Sequence, residues 1–124
     1  LENLVACGLL KLTQFRRDFA GENWGLFYLR DKERREVDFV VTRDRRVHWL
    51  IEVKRSDDKP GGSLQYYTKK LQPRQSLQLV LDLGRAQEKA GIRILSLGPW
   101  LQDLPFDVGG IGGSLVRDAG TVRL

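Results

Sequence analysis

Apolar residues recur along residues 1–19 at steps of three and four. Leu1, Leu4, Val5, Leu9, Leu12, Phe15 and Phe19 fall on one side of a helix. Gly21 predicts its end, because glycine accepts the left-handed turn that closes a helix. The period then shortens to two. Residues 24–31, 36–42 and 47–55 read as three strands separated by polar turns. Pro60, Gly61 and Gly62 mark a loop. Ser63 predicts the cap of a second helix reaching Gln72, with Leu64, Tyr67 and Leu71 facing inward and Pro73 ending it. The run 77–83 is apolar enough for a central strand. The short connection 84–91 predicts a helical turn, residues 92–97 a fifth strand, and Pro99 the first turn of a last short helix. This order predicts an α/β domain, a mixed central sheet of about five strands flanked by helices. It covers residues 1–105, with a glycine-rich tail over 106–124 read as loose or as a strand exchanged between copies.

Three charges break the second and third strands. Side chains alternate across a strand, so Val37, Phe39 and Val41 share one face and Asp38 and Val40 the other. In the next strand His48, Leu50, Glu52 and Lys54 share a face. A hairpin with Asp38 opposite Glu52 and Val40 opposite Leu50 keeps both faces consistent, whereas a slip by one residue inverts them. That register requires an odd-numbered loop or a bulge at 42–47 rather than a two-residue turn. Two carboxylates side by side repel, and burying them costs desolvation. Lys54 offsets part of that cost. A divalent cation offsets more, and hard oxygen donors on neighbouring strands suit Mg²⁺ or Mn²⁺. Such an ion activates water toward a phosphodiester, with Lys54 beside it to steady developing negative charge. The simpler alternative is a surface ion pair that also guards a sheet edge.

The chain has 124 residues and a net charge of +5, from 21 Lys+Arg against 16 Asp+Glu. Clustering makes this informative. Arg43, Arg45 and Arg46, then Arg55 and Lys59, flank the acidic strands and suit a phosphate backbone. Lys32, Arg34 and Arg35 form a third group. A single cysteine, Cys7, excludes an internal disulfide and fits a reducing, cytoplasmic setting. No apolar run approaches the roughly 20 residues of a membrane helix. The lack of methionine, and a start inside a helix, read as a piece of a longer protein.

Helix with Glu2, strand with Asp38, then Glu52-Val53-Lys54 on the next strand: this ordered set resembles the PD-(D/E)XK nuclease superfamily, the restriction-endonuclease-like fold. More narrowly, "ENLVA", "EVDFVV", "IEVKRS" and "ILSLGPWLQDLP" resemble an uncharacterised C-terminal domain that follows the ATPase module in many prokaryotic AAA-type ATPases. The resemblance covers roughly residues 1–105. It implies Asp38, Glu52 and the main-chain carbonyl of Val53 as metal ligands, Glu2 as a further ligand directly or through water, and Lys54 as the catalytic lysine. It also implies an ATPase module in the same chain. Related recombination-type nucleases place a Gln and a Tyr four residues apart on the following helix. Gln65 matches the first, but Lys69 stands at the second, so Gln65 is equally a surface amide. Members of this fold can also keep the scaffold without cleavage. A catalytically inactive scaffold that docks nucleic acid or a protein partner and regulates the ATPase is therefore the competing expectation, and a homo-oligomer a third.

His48, the only histidine, falls on the Glu52 face as a partly buried or edge residue. Trp24, Trp49 and Trp100 read as packing residues. The "GGIGG" stretch lacks the Lys and Ser/Thr of a nucleotide loop.

Overall fold

The computed structural model describes residues 2–104; Leu1 and residues 105–124, the whole glycine-rich tail among them, lie outside the described residues. Its elements run α1 (Glu2–Phe19), β1 (Trp24–Arg30), β2 (Glu36–Arg43), β3 (Arg46–Lys54), α2 (Gly62–Leu71), β4 (Gln75–Val80), β5 (Gln87–Lys89), β6 (Ile92–Ser96) and α3 (Leu97–Gln102). The strands form one six-stranded sheet in the order β1-β2-β3-β4-β6-β5. β3, β4 and β6 are parallel and the remaining neighbours antiparallel. The sheet is mixed, as expected, with one strand more than the expected five. The extra strand is β5, which replaces the helical turn predicted for 84–91. A two-residue turn at Ala90 and Gly91, both with positive φ, folds it back on β6.

Each sheet face carries its own core. On one face α1 and α3 pack Val5, Leu9, Leu12, Leu97 and Leu104 against Val41, Trp49, Ile51, Val53, Leu77 and Leu79. On the other, α2 packs Leu64 and Tyr67 against Val37, Val40, Leu50, Val80, Ile92 and Ile94. β3 and β4 are buried on both faces, as a helix-sandwiched parallel pair must be.

The apolar stripe of α1 is narrower than predicted. Val5, Leu9, Leu12 and Thr13 are buried with the stem of Arg16, whereas Leu4 and Phe19 stand 58 % and 70 % exposed. Gly21, at φ 69, does end this helix: across it the Glu22 N–H donates to the Arg16 carbonyl. In α2 the cap is Gly61 rather than Ser63, and Leu71 is partly exposed. The Ser63 hydroxyl instead accepts the Glu36 N–H at 3.3 Å. Gln72 closes α2 in the left-handed region before Pro73.

The β2–β3 hairpin keeps the predicted register. Phe39, Val40 and Val41 oppose Ile51, Leu50 and Trp49. The turn, however, is two residues, Asp44 and Arg45, both with positive φ. A bulge between Val41 and Thr42 absorbs the odd residue, which is His48. The bulge turns the His48 ring toward Trp24 and Trp49, with ring centroids at 5.1 and 5.4 Å. His48 is therefore buried in an aromatic cluster and does not continue the Glu52 row. A second bulge, between Phe27 and Leu29 of β1 opposite Asp38–Phe39, puts Val37 on the Val40 face rather than with Val41.

Candidate active site

β2 and β3 part company just beyond the Phe39–Ile51 pair, and the acidic residues sit at that fork. The Val53 N–H, which an intact ladder would give to a β2 carbonyl, donates instead to Asp38 Oδ2 at 2.8 Å. The Asp38 side chain thus stands in the ladder. Along a strand the N–H and C=O of one residue face the same neighbour, so the Val53 carbonyl faces this fork too. Lys54 faces the other way, its carbonyl accepting the Leu81 N–H at 3.0 Å.

Glu52 projects from the α2 face of β3, in register with Gln78 of β4. It is 9 % exposed. Its Oε2 lies 3.4 Å from Lys54 Nζ. Its Oε1 is buried and has no hydrogen-bond partner. Burial, and after it the charge of Asp38, pushes the Glu52 carboxyl above the ordinary carboxylate range, while Lys54 and the Asp38 main chain pull the other way. Glu52 is thus coupled electrostatically to Asp38 and paired with Lys54.

Other predicted residues are placed differently. Glu2 is exposed on the first turn of α1, the helix that packs on Ile51 and Val53. Those side chains alternate with Glu52 and Lys54, and Glu2 has no hydrogen bond or ion pair with Asp38 or Glu52. Among the described residues no three His, Cys, Asp or Glu side chains gather to hold a metal ion. Arg43, Arg45 and Arg46 lie at the opposite end of β3 from Lys54, about 26 Å away at the usual strand rise. Arg43 and Arg46 line a cleft there with Asp44, Val47, His48 and Arg74, and Arg43 pairs with Glu22 at 3.4 Å. Arg55 and Lys59 follow directly on Lys54 and remain exposed at the acidic end. Gln65 sits on the first turn of α2, its Nε2 donating to the Pro60 carbonyl at 3.0 Å.

Two features of this end went unread in the sequence. The first is Gln78, fully buried on the central β4. Its signal was a lone amide inside an apolar strand, which must find partners or forfeit stability. The second is a clasp between the β1–β2 turn and α2. Asp31 accepts from Tyr67 Oη at 2.5 Å, from Arg35 Nε at 2.8 Å and from the Arg35 N–H at 3.0 Å. These bonds, Tyr67's first, hold the Asp31 carboxyl down at about 2. Arg35 also lies 3.8 Å over the Tyr66 ring. No short-range pattern pairs residues 36 positions apart.

The arrangement offers two carboxylates and a main-chain carbonyl as hard oxygen donors, one ammonium beside them, and flanking cations. No helix among the described residues is long and apolar enough to cross a membrane. Searches of curated proteins and of solved structures returned no match to this chain. A family model described as "Domain of unknown function (DUF4143)" matches residues 1–100, and the chain belongs to that family.

Proposed function

We propose that this domain is a divalent-cation-dependent phosphodiesterase acting on nucleic acid, carried in the cytoplasm at the C-terminus of an ATPase-bearing protein. The observation that supports it best is the buried, unpartnered Oε1 of Glu52 beside a second carboxylate. A scaffold with no use for charge there would gain stability from an apolar or amide side chain. The donor set fits Mg²⁺ or Mn²⁺: Asp38, Glu52 and the Val53 carbonyl would hold the ion, water completing a shell that Mg²⁺ prefers partly hydrated. Bound there, the ion would supply Lewis acidity at a scissile phosphate.

Lys54 Nζ, 3.4 Å from Glu52, keeps the carboxylate oriented and presents positive charge where a phosphate gains negative charge. Arg55 and Lys59 hold the phosphate backbone at this end. Asp38 fixes the fork through Val53. Glu2 is assigned no role in this reading. The test is Mg²⁺- or Mn²⁺-dependent plasmid nicking by the full chain, which Lys54→Ala and Asp38→Ala should each abolish. Cleavage surviving both substitutions removes the proposed site.

One observation favours a second reading. Lys54 already neutralises Glu52 internally, and Gly61 lies close above it, with room for only an ordinary methyl contact at 3.5 Å. A scaffold that binds nucleic acid or a partner protein and regulates the ATPase needs no more than that. Nucleic-acid binding without nicking in either cation would select it.

A further inference from the structure

Between Lys54 and α2 the chain crosses over Glu52 as residues 55–61, a loop by composition. Its main chain is bound by glutamine side chains from three different elements. Gln78 Nε2 donates to the carbonyls of Asp57 at 3.0 Å and Lys59 at 2.7 Å, and Gln78 Oε1 accepts the Gly61 N–H at 3.0 Å. Gln87, on β5, donates to the Asp58 carbonyl at 3.3 Å. Gln65, on α2, donates to the Pro60 carbonyl. Each carbonyl from Asp57 to Pro60 is thus taken by an amide. Loop carbonyls normally turn to water; here side chains have replaced it, which fixes one conformation.

The conformation so fixed bears on Glu52. A methyl group built on Gly61 would lie 3.5 Å from Glu52 Oε2 and 3.8 Å from Gln78 Oε1. Gly61 therefore roofs the carboxylate, and Gln78, fully buried and in register with Glu52, holds the roof down. We propose that Gln78, assisted by Gln65 and Gln87, is a positioning residue for the carboxylate pair, clasping the 57–61 main chain so that Gly61 stays closed over Glu52. The inference rests on the reading of Glu52 as a working acid. The clasp holds Gly61 over Glu52 and so sets how freely the carboxylate meets water or a cation. The charged groups facing Glu52 are Asp38 on β2 and Lys54 on β3.

The experiment uses two variants of the full chain. Gln78→Leu keeps the volume of the buried side chain and removes three hydrogen bonds. Gln65→Ala/Gln87→Ala leaves the core untouched and removes the outer two. Amide exchange is followed at residues 57–61 without metal, and Mn²⁺ affinity is measured separately. Exchange at Gly61 should quicken about tenfold or more in Gln78→Leu and measurably in the double variant. Mn²⁺ affinity should change in both. Unchanged exchange in a folded Gln78→Leu overturns the inference. Should that variant not fold, an unchanged double variant overturns it instead. Wild-type protein that binds no Mn²⁺ would sink the catalytic reading alone, since exchange judges the clasp without it.

Discussion

Asp38 carries two loads, and two substitutions separate them. Its carboxylate accepts the Val53 N–H at 2.8 Å, and its charge opposes that of Glu52. Asp38→Ala removes both. The stranded N–H costs about 1–3 kcal/mol, toward the upper end because the acceptor is ionised. Against this stands the relieved repulsion. Two carboxylates about 5 Å apart would repel by about 3 kcal/mol at an effective dielectric of about 20 and by about 1 kcal/mol near water, which bounds the relief across the fork. Lys54, 3.4 Å from Glu52, already cancels part of it. Asp38→Ala should therefore be destabilised by about 1–2 kcal/mol, a drop in Tm of roughly 4–16 °C for a domain of this size. Asp38→Asn keeps an acceptor for Val53 and loses only the charge. It should equal or exceed the wild type in stability. The assay is urea and thermal unfolding at pH 7 with EDTA, to exclude any cation. Asn as destabilising as Ala would refute the reasoning, because the charge itself would then be serving the fold.

Four further outcomes follow from the same structure. Glu52 holds its proton more tightly folded than unfolded. Cation-free stability should therefore fall as pH rises from the unfolded carboxylate range through the folded value, and Glu52→Gln should abolish that slope in unfolding curves between pH 4 and 8. Asp31, at about 2, contributes stability that is full above the unfolded carboxylate value and lost as pH falls toward 2. Tyr67→Phe should raise its NMR titration midpoint toward 3.8. Trp49, wholly buried between two other tryptophans, should cost about 3–5 kcal/mol as Trp49→Ala in denaturant unfolding. Arg55→Ala/Lys59→Ala should reduce the salt dependence of DNA binding by about two phosphate contacts, and Arg45→Ala/Arg46→Ala at the far end of β3 by less.

The sheet and its helices were legible because burial imposes period. β3 could be read to within a residue, and the β2–β3 register at Val40–Leu50 followed from keeping both faces consistent. Departures came where local geometry broke the period. His48 and Val37 were assigned by alternation, and each sits beside a bulge that reverses it; a bulge leaves no short-range mark in sequence. β5, Gln-Glu-Lys, carries no apolar signal because it is a short, exposed edge strand paired on one side only. Arg43, Arg45 and Arg46 flank the acidic strands in sequence but not in space, because the hairpin carries its turn to the opposite end from its open fork. The clasp over Glu52 was written in three glutamines, Gln65, Gln78 and Gln87, on three different elements, a pattern that only the fold assembles.

The central claim is that Asp38 and Glu52 together form a cation site, and Mn²⁺ titration of the full chain followed by electron paramagnetic resonance tests it most directly. The account predicts one saturable site in the wild type, lost in Glu52→Gln and strongly weakened in Asp38→Asn, with a matching rise in Tm of the wild type alone. Mn²⁺ that binds the wild type and the Asp38→Asn/Glu52→Gln protein equally, or neither, would contradict it.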